Sequence, residues 1–243
     1  MRKGDATMLY DLYLESGPKR KKTMVHVLAL LGCIAAGPTT EEALAQTPQA
    51  IRAYLRFLQR HGAAVDAEAE VQTRVAEHIT EGEWLGNGSP SLTFQPDLEP
   101  LTAAEAEELI MRLEWSRAEM LALVSGLSEE QWEAEPQPKG RPIRRMLEHV
   151  FGAEYAYMLA FGKLEGVRGP GSVEQMRKDE LLEWMGHVRA RELARLRSLG
   201  EQERSEPFVH WKQTRTARKV LRRMLEHEWE HLVELKERLG ALL

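Results

Sequence analysis

The sequence contains one cysteine, Cys33, among its 243 residues. A single cysteine cannot form an intramolecular disulfide, which excludes the small disulfide-stabilised secreted class and suits a reducing compartment. The sequence also lacks an apolar run of the roughly 18 residues needed to cross a membrane, and residues 1–5 lack the apolar core of a signal peptide. We therefore expect a cytoplasmic protein.

Positive charge is not in excess either. The chain has 33 Lys and Arg against 38 Asp and Glu, a formal net charge of -5, so no overall basic character favours a nucleic-acid partner. Its 43% hydrophobic and 29% charged residues are ordinary for a globular protein with a core. A chain of this length is expected to form two domains or one large one.

Glycine, proline, serine and asparagine are concentrated in one stretch, residues 82–100. Such a composition is typical of a connection between domains. Strand patterns precede this stretch, and only helical periodicity follows it. We therefore predict an α+β domain at residues 1–85, a linker at residues 86–100 and an all-α domain at residues 101–243.

The first half has the pattern of a small β-sheet with one helix. Residues 8–16 and 23–34 carry the aromatic, aliphatic and β-branched residues of strands, and residues 71–79 alternate as a returning strand. A capping box at residues 39–42 predicts the start of the helix. Pro48 predicts a bend or a restart within it.

The segment at residues 25–44, VHVLALLGCIAAGPTTEEAL, carries the first of two family resemblances. Together with Ala50-Ile51 and Tyr54-Leu55, it makes residues 5–85 resemble the HicB family of antitoxin-like domains. The resemblance implies a small partial RNase-H-like unit that binds a protein partner or self-associates. No stretch of the sequence reads as the DNA-binding tail of classical HicB antitoxins, so a toxin-antitoxin role does not follow.

The second half carries four amphipathic patterns of helical period. The first spans residues 102–126 and begins with a capping box, and the others span about residues 142–161, 173–199 and 215–239. Four helices of similar length favour a four-helix bundle, whose interior is a common place for metal ligands.

Two histidines four residues apart, His227 and His231, lie on one side of the last predicted helix. Glu228 lies within the same apolar arc, so polar groups are directed toward a core, where they need partners. Two imidazoles one turn apart can share a metal ion, and His149 on the second helix is the candidate third ligand. The spacing also fits histidines that are simply satisfied in a core or on a surface.

Residues 227–231 also match the H-E-x-x-H pattern of zinc proteases, in which Glu228 would act as general base. The extended form of that pattern has Gly and His at the positions of Glu234 and Glu237. We therefore disfavour a protease.

The order of elements in the second half carries the second resemblance. A turn at residues 126–131 is followed by a proline-rich loop, by the helix with His149 and Glu154, and by the last helix with its histidine pair. Residues 100–240 are thereby similar to the DinB-like (YfiT-like) superfamily. One departure is Arg141-Pro142-Ile143, where many members have an aromatic-Ser-Ile entry to the second helix.

This second resemblance implies a divalent metal bound by His149, His227 and His231, with Zn, Ni, Mn and Fe as the candidate ions. Members with established activity are thiol S-transferases that use low-molecular-weight thiols, or metal-dependent hydrolases and isomerases. The implied function is transferase or hydrolase chemistry on a small-molecule substrate. The alternative is a non-enzymatic, antitoxin-like regulatory or interaction protein that binds metal.

The carboxylates nearest to the histidine faces of the predicted helices are Glu154 and Glu228. As candidate catalytic residues, either would accept a proton from water in hydrolysis. Alternatively, each accepts a hydrogen bond from the far N–H of a ligating imidazole, the role we favour. Arg141, Arg144 and Arg145 either bind an anionic group of the substrate or form a solvated charged face.

Overall fold

The computed structural model describes residues 7–18, 22–136 and 140–241. These residues form two compact units, one reaching to Leu98 and one starting at Glu99. The first unit is a small mixed sheet with one long helix, and the second is mainly helical. No described helix is long and apolar enough to cross a membrane.

Four strands and one helix build the first unit. They are β1 (Thr7–Ser16), β2 (Thr23–His26), β3 (Ile34–Gly37), α1 (Thr40–Arg60) and β4 (Glu70–Ile79). The sheet order is β3-β2-β1-β4, in which β1 pairs antiparallel with β2 and parallel with β4. The helix packs on β2, β3 and β4 and buries its apolar face, which includes Ile51, Tyr54, Leu55 and Leu58. The predicted small sheet with one helix is therefore present.

Two details of this unit differ from the prediction. The single strand predicted at residues 23–34 is divided into β2 and β3 by a turn of 3-10 helix at Leu28–Leu30. Gly32 has a φ of +105°, a conformation that favours glycine, and it lets the chain return antiparallel as β3. The helix α1 is continuous through Pro48, so the predicted restart is absent.

Part of the predicted linker packs on this sheet. The ring of Phe94 is fully buried and lies 5.3 Å from the rings of Tyr13 and His26. Burying a side chain of this size stabilises the contact by roughly 2–3 kcal/mol. The segment around Phe94 is therefore an integral part of the first unit.

The carboxylate of Glu15 holds the same segment through its backbone. It is fully buried, accepts from the backbone N–H groups of Gly86 at 3.2 Å and Ser89 at 3.1 Å, and lies 3.1 Å from the His26 ring. Because Glu15→Ala removes this acceptor, we expect amide hydrogen exchange at Gly86 and Ser89 to accelerate by about tenfold or more. Exchange measured by NMR checks this, with Glu70→Gln on exposed β4 as the control. Unchanged exchange in Glu15→Ala would contradict the assigned role.

Four long helices dominate the second unit. Its helices are α2 (Ala103–Ser125), α3 (Glu129–Glu133), α4 (Ile143–Met158), α5 (Lys178–Arg197), α6 (Glu201–Ser205) and α7 (Ala217–Leu239), of which α3 and α6 are short. Both α2 and α4 contact α5 and α7. The capping box predicted for the first of these helices is present, with Thr102 at the start of α2.

The third long helix begins later than the sequence pattern predicts. It starts at Lys178 rather than near Val173, because Pro170–Ser172 forms a separate turn of 3-10 helix. The carboxylate of Glu180 then caps α5 by accepting from the backbone N–H of Arg177 at 2.9 Å.

A short hairpin corrects the prediction that this half is entirely α-helical. Its strands are β5 (Phe208–His210) and β6 (Gln213–Arg215), which pair antiparallel. Trp211 and Lys212 connect them with positive φ values of 48° and 62°. A two-residue turn with both φ values positive usually contains Asn or Gly, and neither is present here, so the pattern lacked the ordinary hairpin signal.

Candidate metal centre

Three histidines from two helices come together in the second unit. His149 lies on α4, and His227 and His231 lie one turn apart on α7. One nitrogen of each ring lies within 4.8 Å of the others, and the Nε2 atoms of His149 and His227 are 3.0 Å apart. The ring centroids are 4.7–5.1 Å apart. The three positions singled out in the sequence are therefore neighbours, and we call them the histidine triad.

The triad is buried on one side and open on the other. His231 is only 7% exposed, His227 is half-buried and His149 is exposed. Because α4 and α7 pack together, two histidines four residues apart on α7 face the surface of α4 that carries His149. Small molecules can therefore reach the triad from the His149 side.

Desolvation and neighbouring positive charges keep two of the imidazoles neutral. The pKa of His149 is lowered to about 4, first by desolvation and then by His231 and the guanidinium of Arg141. The pKa of His227 is held well below its usual value, again first by burial and then by the other two histidines. At neutral pH both rings are uncharged, which is the form that donates a lone pair to a metal.

One carboxylate contacts the most buried imidazole of the triad. Nδ1 of His231 lies 3.0 Å from Oε2 of Glu234, and the other oxygen of Glu234 accepts from Arg238. The hydrogen bond from His231 is the first cause of a lowered pKa at Glu234. In the sequence, Glu234 stands out only as a departure from the protease pattern. His231 and Glu234 are three residues apart on one helix, and Glu234 and Arg238 are four apart. These spacings could have predicted both contacts.

The structure places Glu154 and Glu228 away from their predicted contacts. Both are buried, and their side-chain hydrogen bonds go to Arg117 of α2 and Arg189 of α5. Among the residues that the structure describes, no hydrogen bond joins either carboxylate to the triad. Their catalytic role stays a prediction, and this pairing counts against it, because the guanidiniums occupy the carboxylate oxygens that would have to accept a proton.

These four side chains and Glu192 form a buried charge cluster. Glu228 accepts from Nε of Arg117 at 2.7 Å and from Nη2 of Arg189 at 2.6 Å, and both arginines also donate to Glu154. Glu192 is fully buried, and desolvation, followed by the charge of Glu154, raises its pKa to about 8. Glu192 lies 3.3 Å from Nε of Arg189, but desolvation and the charge of Glu154 outweigh this contact and favour its protonated form at neutral pH.

Two of the three arginines predicted to bind an anion form ion pairs with a glutamate. Arg144 and Arg145 form ion pairs with Glu148 at 3.0 Å and 2.7 Å. Arg141 is exposed, and its side chain has no hydrogen bond or ion pair with any residue in the described ranges. Its charge contributes to the lowered pKa of His149. Arg141 is therefore the arginine of the three that is available beside the triad.

The comparisons with known proteins bear on this helical unit. Residues 112–235, just over half of the chain, match the model of the DinB superfamily. The chain belongs to the DinB superfamily. A solved structure that matches part of the chain is YfiT from Bacillus subtilis, reported as a probable metal-dependent hydrolase with an unusual four-helix bundle topology. It is 18% identical, the alignment covers 59% of this chain and 92% of that chain, and the TM-score is 0.43. No curated protein sequence matches the chain.

The DinB match contains the whole triad, all of α4 and residues 217–235 of α7. It also contains Arg117 and the glutamates of the buried charge cluster. The first unit lies outside the matched residues, so the HicB resemblance found there stays a prediction.

Proposed function

We propose that the second unit binds a divalent metal through His149, His227 and His231 and uses it in transferase or hydrolase chemistry on a small molecule. The observation that carries this proposal is the convergence of three ring nitrogens within 4.8 Å, on two helices of a DinB superfamily member. A metal site of this class holds the ion with three protein ligands and leaves a position open for substrate or water.

The donor set fits such an ion. For metal–nitrogen bonds of about 2.0–2.1 Å, two ligand nitrogens at tetrahedral or octahedral angles lie roughly 2.8–3.4 Å apart. The Nε2 atoms of His149 and His227 lie at 3.0 Å, within this range. Three neutral imidazoles suit Zn, Ni, Mn and Fe, so the proposal is for a divalent metal without a choice among these ions.

When bound, a divalent cation held by neutral ligands would lower the pKa of a coordinated water or thiol. The chain itself would orient the substrate. His149 is exposed, so the approach to the triad is from its side. The guanidinium of Arg141, which has no hydrogen bond or ion pair with the described residues, would attract an anionic group there. We therefore favour a substrate with a carboxylate or phosphate near its reactive group, with a low-molecular-weight thiol as one candidate.

One observation favours a non-enzymatic alternative. Glu154 and Glu228, the carboxylates expected to accept a proton, are both paired with arginines. A metal-binding regulatory or interaction protein would need no such base. A hydrolase would need another proton acceptor, whereas transfer from a thiolate would not.

The arrangement of the whole chain is part of the proposal. We propose a four-helix bundle at residues 101–243, a linker at residues 86–100 whose segment around Phe94 packs on the first unit, and a HicB-like module at residues 1–85 that binds a protein partner or self-associates. We also propose a cytoplasmic location. The mixed sheet with one helix and the pairwise packing of α2, α4, α5 and α7 support the two architectures.

Elemental analysis of the native protein tests the proposed site. We expect a single divalent ion per chain, and a reduction in metal affinity of roughly 100-fold or more in His149→Ala and His227→Ala, because each removes one of three ligands. His187→Ala, an exposed histidine outside the triad, is the matched control. Native protein without metal, or full metal content in His149→Ala, would contradict the proposal.

Activity assays then separate the two functions. Protein loaded with Zn, Ni or Mn is assayed with thiol-plus-electrophile and ester panels. Turnover that is lost in His227→Ala supports the enzyme. Stoichiometric metal without turnover in any panel supports the non-enzymatic alternative.

A further inference from the structure

A hydrogen bond to a carboxylate determines which nitrogen of His231 carries the lone pair. Nδ1 of His231 lies 3.0 Å from Oε2 of Glu234. An ionised carboxylate only accepts hydrogen bonds, so the N–H of a neutral His231 ring has to be on Nδ1. The lone pair is then on Nε2, on the opposite edge of the ring.

Glu234 is itself held in place. Its Oε1 accepts from Nη2 of Arg238, one turn further along α7, so the two carboxylate oxygens have separate partners. Nη1 of Arg238 donates to the backbone carbonyl of Arg141 at 2.7 Å. Arg141 lies two residues before the start of α4, the helix that carries His149. Arg238 therefore connects the α7 ligand pair to the start of the helix that supplies the third ligand.

The other two imidazoles of the triad have no such support within the described part of the chain. The hydrogen bond recorded for His149 and His227 joins their own Nε2 atoms. His231 is also the most buried of the three. The orientation of one ring is thus set independently of any ion, while the other two rings face each other.

From these contacts we propose that Glu234, held by Arg238, is the positioning residue of the metal centre: it fixes the Nδ1–H tautomer and the ring orientation of His231. This inference rests on the proposed function of the triad. It assigns to Glu234 the role that sequence analysis gave to Glu154 and Glu228. Partners of this kind commonly change metal affinity by about 10–100-fold when they are removed.

The experiment compares Glu234→Ala, Glu234→Gln and Arg238→Met with native protein. Glu237→Gln, an exposed glutamate on the same helix, is the matched control. Affinity for Zn²⁺ alone is measured by competition with a chelator. The tautomer of His231 is measured in the metal-free full-length protein from its ring ¹⁵N chemical shifts, which a merely structural role would leave unchanged.

We expect Glu234→Ala to lower Zn²⁺ affinity by about 10–100-fold and to give a mixture of His231 tautomers. Glu234→Gln retains an acceptor oxygen, so it keeps the Nδ1–H tautomer with a smaller loss of affinity. The Zn²⁺ affinity of Arg238→Met lies between those of native protein and Glu234→Ala, and the affinity of Glu237→Gln equals that of native protein.

Native-like Zn²⁺ affinity in Glu234→Ala, or an Nε2–H tautomer of His231 in the native metal-free protein, overturns the inference. Failure of the proposed function is recognised separately. In that case native protein does not bind Zn²⁺, whereas the tautomer measurement needs no metal and still decides whether Glu234 orients the ring. Helical circular dichroism of each variant shows that a lost affinity does not come from unfolding.

Discussion

Arg117→Ala is expected to lower the free energy of unfolding of the second unit by about 3–5 kcal/mol. Arg117 is 2% exposed and donates to Glu228 at 2.7 Å, to Glu154, and to the Met185 carbonyl at 3.2 Å. Burial alone would lower its pKa, but the charges of Glu154 and Glu228 outweigh burial and raise it. Without Arg117, two buried carboxylates share the single guanidinium of Arg189.

Urea unfolding followed by helical circular dichroism measures this loss. Arg197→Ala is the matched control, because Arg197 pairs with Glu107 at 2.8 Å on the surface, where both side chains are more than 40% exposed. Such a pair contributes about 0–1 kcal/mol. Arg117→Lys keeps the charge, but a single ammonium group cannot bind two carboxylates as a guanidinium does. Its free energy of unfolding is therefore expected to lie between those of native protein and Arg117→Ala. A loss in Arg117→Ala as small as that in Arg197→Ala would show that the buried cluster does not stabilise the fold.

Glu192→Gln is expected to stabilise the protein near pH 8 by a few kcal/mol and to have little effect near pH 4.5. Glu192 is fully buried, and its folded-state pKa of about 8 lies above its ordinary value of 4.5. Above pH 4.5 the unfolded chain releases this proton while the folded chain keeps it up to about pH 8. Rising pH therefore favours unfolding across this window, and glutamine removes the effect because it does not titrate.

The free energy of unfolding of both proteins is measured by urea titration from pH 4.5 to 8.5 with a chelator present. His149 and His227 have lowered pKa values, so they change stability in the opposite direction as the pH rises toward their ordinary range. Their contribution is common to both proteins and cancels in the difference. If the difference in free energy of unfolding between Glu192→Gln and native protein stays constant with pH, Glu192 is ionised in the folded protein at neutral pH. Glu237→Gln, the substitution of an exposed glutamate on α7, is the matched control.

Local features of the fold were predictable because they depend on neighbours in sequence. The capping boxes at Thr39 and Thr102 need only a hydroxyl and a glutamate three residues later, and both start helices as expected. The hairpin of Trp211 and Lys212 was missed because its turn has none of the residues that usually tolerate positive φ.

For the candidate site, the sequence by itself determined that His227 and His231 share one side of a helix, since a spacing of four residues is one helical turn. Only the tertiary structure decided which groups they meet, because those groups come from distant parts of the chain. It brought His149 to within 3.0 Å of His227 and placed arginines from α2 and α5 on Glu154 and Glu228. Helical periodicity directs a side chain toward the interior. The packing of several helices then determines whether that side chain contacts an imidazole or a guanidinium, or is a carboxyl group that stays protonated.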